Sequence, residues 1–309
     1  MLAYWAGAVV LGAISGALYL AAFVLPGGVV LASLTQAPLF IAGLTLGLPA
    51  ALAASATSAL VVSAPTGPIG ALLHGLVNAV PVLVLVQRAL LSRRAADGSL
   101  EWYPPGLIVS WLTGLGLAAL GALLLLLASA EGGIAGAMQR QIEAMLPIFG
   151  PNQEAMRPLF EAIAPVMPGL IVSAWMSVTM ANGALAEAIA LRARRAARPA
   201  PDIAQTELPK ALAAGLVAAA ALALLGPGTL GAIGANATLV LTVPFLVLGF
   251  AVVHAATKGL RARRLLLGGL YAVTAILTWP VIVIVALGLI DQGFGIKRRF
   301  AATRPGGVT

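Results

Sequence analysis

The chain has 309 residues, 61% of them hydrophobic and 9% charged, with a net charge of +8 and a mean hydropathy of +1.02. A soluble domain carries about 25% charged residues to cover its water-facing surface, so this composition excludes a soluble globular protein and indicates a polytopic membrane protein. Cysteine is absent and histidine occurs twice, which excludes disulfides, thiolate or histidine-rich metal sites, Fe–S clusters and a cysteine nucleophile.

Nine apolar segments are predicted in chain order, near 4–25, 28–46, 48–64, 68–88, 106–129, 163–190, 209–227, 231–256 and 265–290. The first lacks the basic n-region of a secretory signal and reads as a retained span. Pro26-Gly27-Gly28, Pro38, Pro49 and Pro65 punctuate the second and third; each reads as a full span or as a short, tilted or re-entrant one. The runs are continuous and Leu/Ala-rich rather than alternating, which argues against a β-barrel. The expected fold is therefore all-α: a polytopic transmembrane helical bundle of about eight to nine spans, forming one domain over residues 1–309.

Basic residues flanking spans favour the cytoplasmic side. Arg88, Arg93 and Arg94 follow the fourth segment. Arg192, Arg194, Arg195 and Arg198 follow the sixth, in the connector 191–208, and Lys258, Arg261, Arg263 and Arg264 follow the eighth. One arrangement makes all three clusters cytoplasmic, with the N-terminus inside. These clusters lack the interleaved aromatics of a nucleic-acid surface, so the lipid bilayer is the expected partner and nucleic acid is not. A last tilted span at 265–290 then puts Lys297, Arg298, Arg299 and Arg304 outside. Removing the 209–227 crossing rescues the tail but exports the 258–264 loop, so no simple arrangement of full crossings satisfies both.

The connector 130–162 falls outside in this arrangement. Met138, Ile142, Met145 and Phe149 recur at helical spacing, and Met156 and Phe160 repeat the pattern after "GPN". Two short amphipathic external helices are expected, either covering the bundle or acting as a gate over a substrate entrance.

Phosphate-loop, zinc-protease and nucleophile-elbow motifs are absent. The acidic residues sit in connectors or at helix ends, and Glu187 reads as a snorkelling or interfacial group. No catalytic residue, metal or cofactor is expected, and the chain does not read as an enzyme. Uncharged polar residues at membrane depth remain. His74 and Asn78 share a helix face, as do Thr179 and Asn182; Asn236 and His254 lie near opposite ends of the eighth segment. Unpaired in lipid, such groups cost several kcal/mol, about the price of a lost hydrogen bond or more, so they should face the bundle interior. Two roles fit them: hydrogen bonds between helices, and contact with a ligand in a small polar pocket.

The closing region, "PFLVLGFAVVHAATKG" and then "GLIDQGFGIKRRF", resembles the C-terminal part of the YybS-like bacterial membrane proteins, a family named for unknown function. Pro244, Gly249, His254, Gly288, Asp291, Phe294 and the basic Lys297–Arg299 carry the resemblance. That family is distantly similar to the substrate-binding membrane subunits of energy-coupling-factor transporters. The resemblance implies a bacterial cytoplasmic-membrane protein that binds a small molecule and works with a separate transmembrane coupling subunit and ATPase. It also implies a small-residue contact on the first helix, for which Ala13, Ala17 and Ala21 have the spacing. Such a chain would have six spans, and no vitamin-specific motif is present. The expected function is a small-solute transport component without its own ATPase; the alternative is a non-transporting scaffold or assembly factor.

Overall fold

Small residues and proline decide where these apolar runs bend and how closely they pack. The computed structural model describes residues 2–277 and 279–297. They fall into two compact units, one of Met1–Leu112 with Met176–Asp202 and one of Thr113–Trp175 with Ile203–Thr309.

The first unit opens with α1 (Leu2–Val24), α2 (Gly28–Ala32), α3 (Gln36–Leu46) and α4 (Leu48–His74). A π-helical turn at Gly75–Ala79 leads into α5 (Val80–Ala89). Helix α1 packs chiefly on α4. Gly12 and Gly16 make the contact: a Cβ built on Gly12 would lie 2.3 Å from the Ala54 carbonyl oxygen, and one on Gly16 would lie 2.8 Å from Val61. Lipid offers no hydrophobic drive between helices, so this backbone approach is how they gain dispersion contact.

Leu48–Ala89 forms a run of 42 residues, about 63 Å if straight and twice a hydrocarbon core of about 30 Å. It is not straight. Gly67, between Pro65 and Pro68, has φ 70° and ψ −176°, a conformation open to glycine. Ser58 and His74 lie on either side of it, and their side chains are 2.8 Å apart. Sixteen residues of straight helix would separate them by about 24 Å, so the two limbs fold back on each other.

After α5 comes a hairpin of β1 (Ser92–Arg94) and β2 (Leu100–Trp102), antiparallel, with Arg93 paired to Glu101 at 2.7 Å. Gly98, at φ 83°, follows Asp97 in its turn. Arg88 lies over the Trp111 ring at 4.0 Å. Two longer helices follow along the chain, α6 (Pro105–Ala128) and, after α7 (Gly133–Met145) and α8 (Gln153–Ile163), α9 (Met167–Arg192).

In the second unit α7 and α8 are the expected amphipathic pair. Their apolar stripes meet each other rather than remaining open. Ile142, Leu146, Phe160 and Ala164 form a small core, with Met138, Met145 and Met156 packed against it. Phe149 reaches Phe160 with ring centroids 5.4 Å apart. The unit continues with α10 (Lys210–Leu225), α11 (Gly228–Ala256), α12 (Arg263–Ile276) and α13 (Trp279–Phe294). Helices α10 and α13 both pack on α11. Gly249 and Gly288 form the α11–α13 contact: a Cβ on the first would lie 1.9 Å from the Ile284 oxygen, and one on the second 2.0 Å from the Phe245 oxygen.

Among the described residues six helical runs are long and apolar enough to cross a membrane, or seven if α12 and α13 form one bent span. That is below the expected eight to nine. Part of the difference lies in α10, expected as a span at 209–227: its 16 residues rise about 24 Å, short of a core of about 30 Å. The expectation of one unbroken span at 265–290 is also corrected. Helices α12 and α13 meet at 117°. Pro280 has no N–H to bond the Ile276 carbonyl, and Leu277 is extended at φ −112°, ψ 134°. Of the four basic tail residues only Lys297 belongs to the described residues; the placement expected for Arg298, Arg299 and Arg304 lies outside them.

Candidate functional site

The fold-back at Gly67 brings polar groups from separate stretches of the first unit into one buried network. Ser15 donates to the Thr35 carbonyl at 2.7 Å, and Ser58 donates to Ser15 at 3.1 Å. Each hydroxyl has one proton, so Ser58 must accept from His74 Nε2 at 2.8 Å. That assigns the His74 proton to Nε2 and leaves Nδ1 to accept from Asn78, at 3.4 Å. The bonds thus run one way, from Asn78 through His74, Ser58 and Ser15 to Thr35. The Tyr19 ring covers His74, centroids 4.6 Å apart.

Gln36, beside Thr35, donates to the Val77 carbonyl at 3.4 Å, inside the π-helical turn. Asn182 on α9 donates to the Ser33 carbonyl at 2.7 Å and to Val178 at 2.8 Å. Thr179 stands one turn before it and is wholly buried. The members of this network are neutral, and their environment is apolar.

Among the described residues of this unit five buried side-chain polar atoms have no hydrogen-bond partner: Arg88 Nε at the end of α5, and Gln36 Oε1, Ser55 Oγ, Thr179 Oγ1 and Asn182 Oδ1. An unmade bond of this kind costs about 1–3 kcal/mol. Ser55 lies one turn from Ser58, and Thr179 and Asn182 share a face of α9. Gln36 Oε1 and Asn182 Oδ1 can only accept a hydrogen bond, whereas the Ser55 and Thr179 hydroxyls can donate or accept. Among the described residues no three metal-ligating side chains come together.

The sequence-predicted residues divide between the units. His74, Asn78, Thr179 and Asn182 belong to the first. Asn236 and His254 belong to the second and have different neighbours. Asn236 accepts from the Gly169 amide at 2.6 Å and donates to Pro165 and Ala232, each at 2.8 Å. Its amide is fully engaged as a clamp between α9 and α11. His254 Nε2 pairs with the Tyr271 hydroxyl at 2.8 Å. On α1, Ala17 is exposed and Ala13 half-buried, while Ala21 is buried with its carbonyl against Gly28.

Ser15, Thr35, Gln36, Ser55 and Ser58 are not singled out by the sequence. Their signal is the one used for Asn and His, a polar side chain inside an apolar run; serine and threonine obscure it by bonding their own helix carbonyls. Glu187 has a definite partner. It pairs with Arg198 at 3.2 Å, and Arg198 is buried and also donates to the Ala89 carbonyl at 3.3 Å. Asp291 likewise pairs with Lys297, at 3.3 Å, and caps its backbone amide.

A family model described as "Predicted membrane protein (DUF2232)" matches residues 13–292. Comparison with curated proteins and with solved structures gives no match.

Proposed function

The chain belongs to the DUF2232 family of predicted membrane proteins, and on that premise we propose that it is a membrane-embedded subunit binding a small, uncharged polar solute for transport. One observation carries this reading: four uncharged side chains of the first unit, Gln36, Ser55, Thr179 and Asn182, each keep a buried polar atom without a partner. Side chains that only tie helices together end up paired, as Asn236 does, because lipid provides no other partner. Unpaired acceptors and hydroxyls are what a bound molecule with N–H or O–H donors would satisfy.

In this reading the protein carries no catalytic group and no ATPase, and depends on a separate transmembrane coupling subunit and ATPase, as the resemblance to energy-coupling-factor subunits implies. The exposed Ala17 face of α1 is a contact such a subunit could use. The basic connectors orient the chain in a bacterial cytoplasmic membrane with its N-terminus inside.

The test is mass spectrometry of small molecules released from protein purified in detergent. A compound enriched in the wild type and lost in Thr179→Val and His74→Ala is the expected result. Lipid alone in all three preparations would overturn the proposal and favour a scaffold or assembly role.

A further inference from the structure

The loop between α11 and α12 carries four cations within seven residues: Lys258, Arg261, Arg263 and Arg264. Between Glu207 and Asp291 the sequence has no Asp or Glu, and among the described residues Arg261, Arg263 and Arg264 have no ion pair. These arginines, with Leu260 and Leu267, line a recess of about 450 Å³, within the range of small-molecule sites. Arg263 Nε is buried there without a hydrogen-bond acceptor. The recess lies at the first turn of α12, whose N-cap is Ala262 and gives the helix amides no side-chain acceptor. Uncapped amides and the positive end of a helix favour an oxyanion.

Leu260 lines this positive recess, and Leu265 and Leu266 follow Arg264 in sequence. Leu260 is 52% exposed, Leu265 79% and Leu266 48%. A free phosphate could satisfy the arginines but leave these leucines in water. A ligand with an anionic head and hydrocarbon chains meets both.

We propose that the recess lined by Arg261, Arg263 and Arg264 binds the phosphate headgroup of an anionic phospholipid, its acyl chains lying against Leu260, Leu265 and Leu266. Guanidinium forks pair with phosphate oxygens through two parallel bonds, and juxtamembrane basic clusters attract anionic lipid. The site is independent of the His74 network and does not rest on the solute-binding reading.

The experiment is thermal unfolding of the full chain in uncharged detergent with added phosphatidylglycerol, phosphatidylcholine or inorganic phosphate. Phosphatidylglycerol should raise the midpoint by about 3 °C or more beyond phosphatidylcholine. Arg261→Gln/Arg263→Gln/Arg264→Gln should abolish the difference, whereas Arg93→Gln/Arg94→Gln, in the β-hairpin, should keep it. Equal stabilisation by both lipids, equal loss in the hairpin variant, or full reproduction by inorganic phosphate would each overturn the proposal. Should the triple variant not fold, native mass spectrometry of the wild type decides: phosphatidylglycerol must outlast phosphatidylcholine on the protein as collision energy rises, and equal retention refutes the site.

Discussion

Asn236 and Thr179 separate the roles a buried polar side chain can take in lipid. Asn236 spends both ends of its amide on backbone groups, so Asn236→Ala should lower stability by about 1–3 kcal/mol. Thermal denaturation in detergent measures it, and co-purified solute should be unaffected in molecules that stay folded. Thr179 is the reverse case. Its buried hydroxyl is unpaired, so Thr179→Val removes a polar atom without breaking a bond. Stability should hold or rise by up to about 1 kcal/mol, while solute is lost. A drop in stability comparable to that of Asn236→Ala would show that the hydroxyl has a structural partner. The sequence exposed His74, Asn78, Thr179 and Asn182 because such residues are rare at membrane depth. It could not distinguish Thr179 from Asn236, since pairing depends on which backbone atoms come near, and those are set by the fold-back at Gly67 and by the packing of α9.

At the scale of elements, glycine sets the geometry. At Gly67 the backbone adopts φ 70°, and Gly67→Ala should cost about 1–3 kcal/mol by straining the turn. Loss of the Ser58–His74 bond should follow, visible as a shift of the His74 imidazole NMR signals. Gly249→Val meets a harder obstacle, because the α11–α13 contact is backbone against backbone. Small backbone shifts do not relieve such overpacking, so a loss of about 3 kcal/mol or more is expected, read as a lowered unfolding midpoint. Helix existence was legible from the apolar runs, and the amphipathic pair α7 and α8 from its spacing. Helix breaks were less so. Pro280 marks the end of α12 as plainly as Pro65 and Pro68 mark the turn at Gly67, yet an apolar run continuing through a proline reads the same whether the helix kinks or stops.

For the whole molecule, the basic loops and the tail pose one topological question. Helix α13 runs antiparallel to α11, Gly288 meeting Phe245 and Ile284 meeting Gly249, while α12 carries its arginines at its first turn. Helix α13 alone has 16 residues, as few as α10, so the expectation is that α12 and α13 together make one bent crossing. Reporters placed within 258–264 and after Thr309 should then report opposite sides. The same side for both would make α12 and α13 a re-entrant pair.

The order of synthesis adds a further consequence. The first unit is discontinuous: residues 113–175 separate its long N-terminal part from Met176–Asp202. Asn182 closes onto Ser33 from 149 residues downstream, and Arg198 onto Ala89 from 109. While the ribosome is still producing α7 and α8, α1 through α5 are already in the membrane, with the Ser33 and Ala89 carbonyls waiting for donors that have not yet emerged. A nascent chain stopped before Met176 would therefore hold an unsealed polar seam, the kind of surface that membrane chaperones and quality-control proteases engage.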